Sequence, residues 1–371
     1  MIHRHRPARR PWLAAFVAAL LLIAASAASA HETTVTDCLG RAIDLNRPNQ
    51  RIVCLGPGAL RLIVYLGAHE RVVGVEALER DFPDGRPYIL AQPELTKLPV
   101  IGPGGVSAIG RMPDMEALLA VAPQLIFVTY MDRQTAQRLQ AQSGAQVVAL
   151  DYGPFASVDT AALFASLRVA GAALGRRQRA AEIIALTQGW LDDLARRAKG
   201  APDPGPVYVG GVGFKGVQGL ESSDADYAPF AWLGLDNAAK LAGGRGHCFV
   251  GREKLLTIDP PTIFMDAAGM GLLAGDWAKR PEFYQALSAF GAGRVFVLHP
   301  FNWYVTNLGV AVADAYAIGK ALWPRRFADV GPEQKAAEIH RALLGVSVQG
   351  AMAKKYGKLG EIPAFIKKGA Q

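Results

Sequence analysis

The sequence predicts an α/β protein of two lobes, each a mostly parallel sheet layered with helices, joined by one long α-helix with a ligand cleft between the lobes. Three observations lead there. Short β-like runs alternate with helical runs at the spacing of βαβ units. The alternation stops between Val158 and Lys199, where Leu163, Leu167, Leu174, Ile183, Ile184, Leu191 and Leu194 recur at helical spacing. It resumes at Val207-Tyr208-Val209, after Pro202, Pro204 and Pro206 have ended the helix. A length of 371 residues suits two domains. With 51% hydrophobic residues and 40 Gly and 23 Pro that do not repeat, the chain is neither disordered, nor a collagen-like fibre, nor a disulfide-stapled miniprotein.

The expected organisation is a leader over 1–30, an N-terminal lobe over 31–156, the connecting helix over 157–200, a C-terminal lobe over 201–345 and a tail over 346–371. Residues 1–10 are basic, 12–25 are uncharged, and Ala28-Ser29-Ala30 is a small-x-small cleavage site, the three-part plan of a secretory signal peptide. Cleavage after Ala30 leaves no Cys at the new terminus for a lipid anchor, since Cys38 lies further on, so a free periplasmic protein is expected. Losing Arg4, Arg6, Arg9 and Arg10 changes 40 bases against 32 acids into 36 against 32, or +4, too modest to mark a nucleic-acid partner.

In the first lobe Thr34 to Leu45 reads as a hairpin about Gly40, and Arg51 to Leu55 as an apolar strand closed by Gly56-Pro57-Gly58. A helix from Ala59 to Leu66 and strands at Arg71 to Val75, Leu125 to Tyr130 and Gln146 to Leu150 follow, with an amphipathic helix at Arg133 to Gln142. The second lobe carries strands near Cys248 to Val250, Ile263 to Asp266 and Val295 to Leu298, then helices at Val310 to Leu322 and Pro332 to Leu343. The lysine-rich tail reads as a solvated, partly ordered end. Cys38 and Cys54, on strands expected to be neighbours, leave open either a disulfide or buried single thiols.

One segment occurs twice. Glu116-x-Leu118-Leu119, three residues, Pro123, two residues, Ile126-Phe127 returns as Glu253-x-Leu255-Leu256, Pro260 and Ile263-Phe264, every shared residue displaced by 137 positions (253 minus 116). The pattern predicts a short helix whose Leu pair faces the sheet, a Pro that ends it, and a buried strand. Glu116 and Glu253 are then either helix-start carboxylates favoured by the helix dipole or matching acidic knobs, one per lobe.

Together with the two lobes, the connecting helix and the leader, this repeat resembles the substrate-binding proteins of ABC importers for iron complexes, haem and cobalamin. The resemblance runs from Thr36-Asp37-Cys38-Leu39-Gly40-Arg41 through Arg51-Ile52-Val53 to the last helix near Leu344. It implies that Glu116 and Glu253 meet arginines of an inner-membrane permease, and that a single connecting helix leaves a largely preformed cleft.

Ligands of open α/β sheets lie outside the carboxyl ends of the strands. The loops there carry Gly56, Pro57, Arg80 and Tyr130 in the first lobe and Phe214, Lys215, Asn302, Trp303 and Tyr304 in the second. Glycine admits close backbone approach, the aromatics offer flat faces with polar tips, and Arg80 and Lys215 suit an anionic ligand. Tyr130 and Tyr304 are candidates to face each other across the cleft. Five widely spaced His remain after cleavage, with no HxH, HExxH or CxxC pattern, and His247 and Cys248 are strand neighbours that point to opposite faces. A chelated metal gripped through its organic shell therefore fits better than a bare ion. The expectation is a monomeric, non-catalytic receptor with no cofactor of its own, for a ferric siderophore first and for haem or cobalamin next. The alternatives are a molybdate- or tungstate-binding protein of the same fold and, more remotely, an exported enzyme. The sequence holds no GxSxG elbow and no GxxxxGK[ST] loop.

Overall fold

The computed structural model describes residues 33–153 and 158–369, with side chains through Ile366. The leader, its cleavage site and the expected lobe boundary at 156/157 lie outside the described residues. The chain opens with the antiparallel hairpin of β1 (Thr34–Thr36) and β2 (Ala42–Asp44), which turns through Gly40. Next come β3 (Ile52–Leu55), β4 (Val72–Gly74), β5 (Leu125–Thr129) and β6 (Gln146–Leu150), a parallel sheet in the order β4-β3-β5-β6. β3, β5 and β6 are buried along their whole length, as strands covered on both faces must be.

This order decides between the two states left open for Cys38 and Cys54. Cys38 lies on the outer side of β6, its N–H donating to the Ala149 carbonyl, whereas Cys54 lies in β3, with β5 and β6 between them. Strands are spaced about 4.8 Å apart, so with two strands between them the thiols are too distant to join, and both are free.

The segment expected as one long helix is two, Thr160–Ala173 and Arg177–Ala198. Gly175, at φ 67°, turns the chain left-handed while the Arg176 N–H bonds back to the Gly171 carbonyl, a helix-ending motif that needs glycine at this position. The second helix, 22 residues long, makes the connection and spans about 33 Å.

In the second lobe β7 (Val207–Gly210) is followed by the antiparallel ribbon of β8 (Ser222–Asp224) and β9 (His247–Phe249). Strands β10 (Thr262–Asp266) and β11 (Val295–Leu298) complete a parallel sheet in the order β11-β10-β7. The helix Leu308–Leu322, buried on nearly every side, packs on Pro332–Leu344, which itself rests on the first-lobe helices Ala59–Tyr65 and Pro87–Ala91. One apolar core consequently runs through both lobes, from Leu62 and Ile63 to Leu308, Val312 and Ile339. Among the described residues no helix is long and apolar enough to cross a membrane.

The tail departs from the expected solvated end. Met352, Leu359 and Ile366 are buried, and residues 360 and 361 pair with the edge of β11 through Gly360 N–H to Val297 O (2.8 Å) and Val297 N–H to Glu361 O (2.9 Å). Three apolar residues seven positions apart outweigh the lysines between them.

The repeat is a repeat in three dimensions. Helices Met115–Ala120 and Arg252–Ile258 are each followed by a non-glycine residue of positive φ, Ala122 at 43° and Asp259 at 41°, then a Pro, then β5 or β10. Only the first leucine of each pair faces the sheet: Leu118 and Leu255 are fully buried, whereas Leu119 and Leu256 are 49% and 38% exposed. Consecutive helical residues point about 100° apart, so a two-turn helix lying on a sheet buries one of them.

Candidate functional site

Residues from the carboxyl edges of the two sheets meet at one place. Tyr304, in the loop after β11, donates its hydroxyl to Glu76 Oε2 at 2.7 Å, just past β4, and accepts the Gly105 N–H at 3.1 Å. Glu76 Oε2 also accepts the Gly56 N–H at 3.2 Å. Gly56 itself, at φ 84°, lies so close to the end of β5 that a Cβ there would stand 2.8 Å from the Thr129 carbonyl oxygen. Pro57 is fixed to the same strand end by Thr129 Oγ1 donating to its carbonyl at 2.9 Å.

Beside this contact, Arg61 reaches out of the apolar helix Ala59–Tyr65 into the second lobe. Its guanidinium donates to Asn307 Oδ1 (3.0 Å), to the Thr306 carbonyl (2.6 Å) and to the carbonyls of Trp303, Tyr304 and Val305 (3.1 Å each). The Tyr88 ring lies 5.0 Å from the same guanidinium, which is fully buried. A planar fork of five donors suits a loop whose carbonyls turn inward, and an ammonium lacks that geometry. The loop's backbone is strained to match, with Tyr304 at φ 54° and Val305 at 66°. Tyr130 and Lys215, at φ 53° and 51°, occupy the loops after β5 and β7. Left-handed non-glycine residues are uncommon and gather at functional sites.

Trp303 closes over Gly85, where an added Cβ would stand 2.5 Å from the ring's Cδ1 and 2.9 Å from the Tyr356 hydroxyl. Gly85 also holds φ 76°. Gly85→Ala is therefore expected to destabilise the protein by about 1–3 kcal/mol, read as a lower urea midpoint with an unchanged slope.

Burial pushes the Glu76 carboxyl up to about 7 against the hydrogen bond from Tyr304, which pulls it down. A carboxyl raised from its ordinary value near 4.5 holds its proton longer folded than unfolded, so its contribution to stability falls as pH rises from about 4.5 to 7. Buried Asp266 and Asp224, pushed up to about 7 and about 6, act in the same direction, while burial lowers His340 to about 4 and acts in the opposite one. Glu76→Gln isolates one group, since its amide oxygen still accepts from Tyr304 and Gly56 while nothing titrates. The stability of this variant relative to the parent is expected to increase by on the order of 2–3 kcal/mol between pH 5 and pH 8, measured by urea unfolding; a flat difference would contradict the assignment.

The other expected residues take no part in that hydrogen-bonded contact. Phe214 stacks on His247 with centroids 4.0 Å apart, Ser222 Oγ bonds His247 Nε2 at 2.8 Å, and exposed Lys215 lies over Phe214. Asn302 is half-buried beside Trp303. Arg80 is on the surface, paired with Asp81 at 2.7 Å, while Arg86 nearby is buried, bonded to Glu79 and 5.6 Å from the Tyr304 ring. Among the described residues no three His, Cys, Asp or Glu side chains converge on a metal-sized site. Glu116 and Glu253 are exposed in the first turns of their matched helices. A groove of about 290 Å³ on the second lobe holds Arg252 bonded to Glu221 (2.6 Å) and Asp276 (2.9 Å), so this arginine is not turned toward the adjacent Glu253.

Sequence reasoning missed Arg61, Glu76, Arg86 and Asn307. The one legible signal was Arg61 itself, a lone charge in the apolar run Ala59-Leu60-Arg61-Leu62-Ile63-Val64.

Residues 52–300 match the family model described as periplasmic binding protein, and the chain belongs to that family. No curated protein matches the sequence. Among solved structures, the molybdate-bound periplasmic binding protein MolA of Haemophilus influenzae is similar at 18% identity and a TM-score of 0.66, over 85% of this chain and 98% of that one. The TroA-like periplasmic binding protein FepB of Veillonella parvula is similar at 22% identity and 0.65, over 85% and 97%. A periplasmic haem-binding protein of Pseudomonas aeruginosa is similar at 23% identity and 0.51, over 75% and 94%.

Proposed function

We propose that the protein is a periplasmic receptor that captures a metal chelate, a ferric siderophore first and haem or cobalamin next, between its lobes and delivers it to an inner-membrane ABC importer. The observation that carries this reading is the meeting of both sheets' carboxyl edges, with strained Tyr130, Lys215 and Tyr304 in the loops after β5, β7 and β11. Aromatic faces supply apolar contact to an organic shell and Lys215 supplies charge-assisted hydrogen bonds, so binding needs no covalent step. Glu116 and Glu253 would dock the permease, one from each lobe. The interlobe bonds of Arg61 and the shared core favour small adjustments over wide opening.

A second reading, an oxyanion receptor for molybdate or tungstate, is favoured by the likeness to MolA and by Lys215 standing exposed among Gly213 and Gly216. Native mass spectrometry with elemental analysis of the protein from its own periplasm separates the two. An iron-bearing organic adduct is the expected result; molybdenum or tungsten without an organic shell would replace the chelate with the oxyanion.

A further inference from the structure

The helices Met115–Ala120 and Arg252–Ile258 display more than an acid each. Glu116 and Leu119 are three positions apart, as are Glu253 and Leu256, so each pair shares one helix face. All four side chains are exposed. A single exposed leucine is ordinary. Here the same displacement of 137 residues reproduces the leucine, its exposure, the acid, the buried leucine before it, the left-handed residue after the helix and the proline. Burial accounts for Leu118, Leu255, Ile126, Ile263, Phe127 and Phe264, all fully buried, and backbone geometry for Pro123 and Pro260. Neither accounts for Leu119 and Leu256, whose side chains stand largely in solvent.

We propose that Leu119 and Leu256 are the apolar halves of two matched docking knobs, each joining a carboxylate to an exposed leucine, and that their partner is a membrane protein presenting one basic-and-apolar socket twice. The proposal rests on the importer reading above and adds to it the contact that sets the fit. Just ahead of the first helix the Asp114 N–H bonds the Ile101 carbonyl, whose residue pairs with Val75 past β4; just ahead of the second the Val250 N–H bonds the Glu221 carbonyl, next to Ser222, which pairs with Val212 past β7, so both knobs start near the carboxyl edges that flank the cleft. A ligand released from the cleft would then emerge between the two sockets. Charge disfavours two copies of this chain meeting knob to knob, which would oppose carboxylate to carboxylate, and favours a partner with a basic socket. Arg252 is held by Glu221 and Asp276 and does not mask Glu253.

The test places a photo-reactive phenylalanine at 116, 119, 253 or 256 of the full chain in its native cells, and identifies the cross-linked product. Positions 119 and 256 are expected to label one polytopic membrane protein at equivalent sites of its two halves or subunits. With that protein in lipid nanodiscs, the Leu119→Ser/Leu256→Ser receptor is expected to bind at least about tenfold more weakly, from two lost apolar contacts, with ligand affinity and urea midpoint unchanged. Labelling from 116 and 253 but not from 119 and 256, or full affinity of the double serine variant, overturns the leucine proposal and spares the importer reading. Cross-links to a second copy of this chain, or no membrane protein from any of the four positions, overturn both.

Discussion

A receptor carrying Glu116→Lys and Glu253→Lys together is expected to lose transport in cells while binding its ligand as before. Both carboxylates stand in solvent in the first turn of a short helix, away from the Tyr304–Glu76 contact. A lysine there loses the favourable interaction with the helix start, about 0.3–1 kcal/mol at each site, so the fold survives. At the permease the reversal sets base against base on both sides at once, and like charges brought together at an interface cost several kcal/mol. Either single reversal leaves one knob intact and is expected to give intermediate uptake. Uptake of labelled ligand in cells, with fluorescence titration of the purified variant, checks both halves of the expectation. Normal uptake by the double variant would remove the docking role from these residues.

Arg61→Ala is expected to be the most damaging single substitution for stability. It strips donors from the Asn307 side chain and from four inward-facing carbonyls, and leaves a void between the lobes beside Tyr88 and Tyr152. Buried acceptors left without donors, added to lost packing, amount to about 3–5 kcal/mol. Arg61→Lys is expected to recover little, because an ammonium cannot span acceptors from Trp303 to Asn307. Urea unfolding reads the loss, and a shift below about 1 kcal/mol, the scale of a surface substitution, would show that the loop is held by other means.

The lobes, the hairpin, nearly every strand and the duplicated Glu-x-Leu-Leu segment were legible because each is written within a few consecutive residues. The connecting segment was legible as helix, yet its break depends on one glycine, Gly175, inside an otherwise continuous helical pattern. The site was legible as a set of loops: Gly56, Pro57 and Tyr304 do come together, around Glu76. What joins them was not. Arg61 finds its partners 242 to 246 positions along the chain, and no local pattern encodes such a pairing. Arg80 looked suited to a ligand because it follows β4, but the helix Ala77–Asp81 turns it outward and buries Glu79 instead. The tail was misread because its lysines were weighed without the spacing of Met352, Leu359 and Ile366.

A ligand held between the two lobes covers residues of both, which hydrogen–deuterium exchange of the purified protein with and without a ferric catecholate chelate reads out. Added protection is expected in both lobes together, over 102–107 and Tyr130 on one side and over 211–218 and 300–305 on the other. Protection confined to one lobe, or to the Arg252 groove, would contradict it.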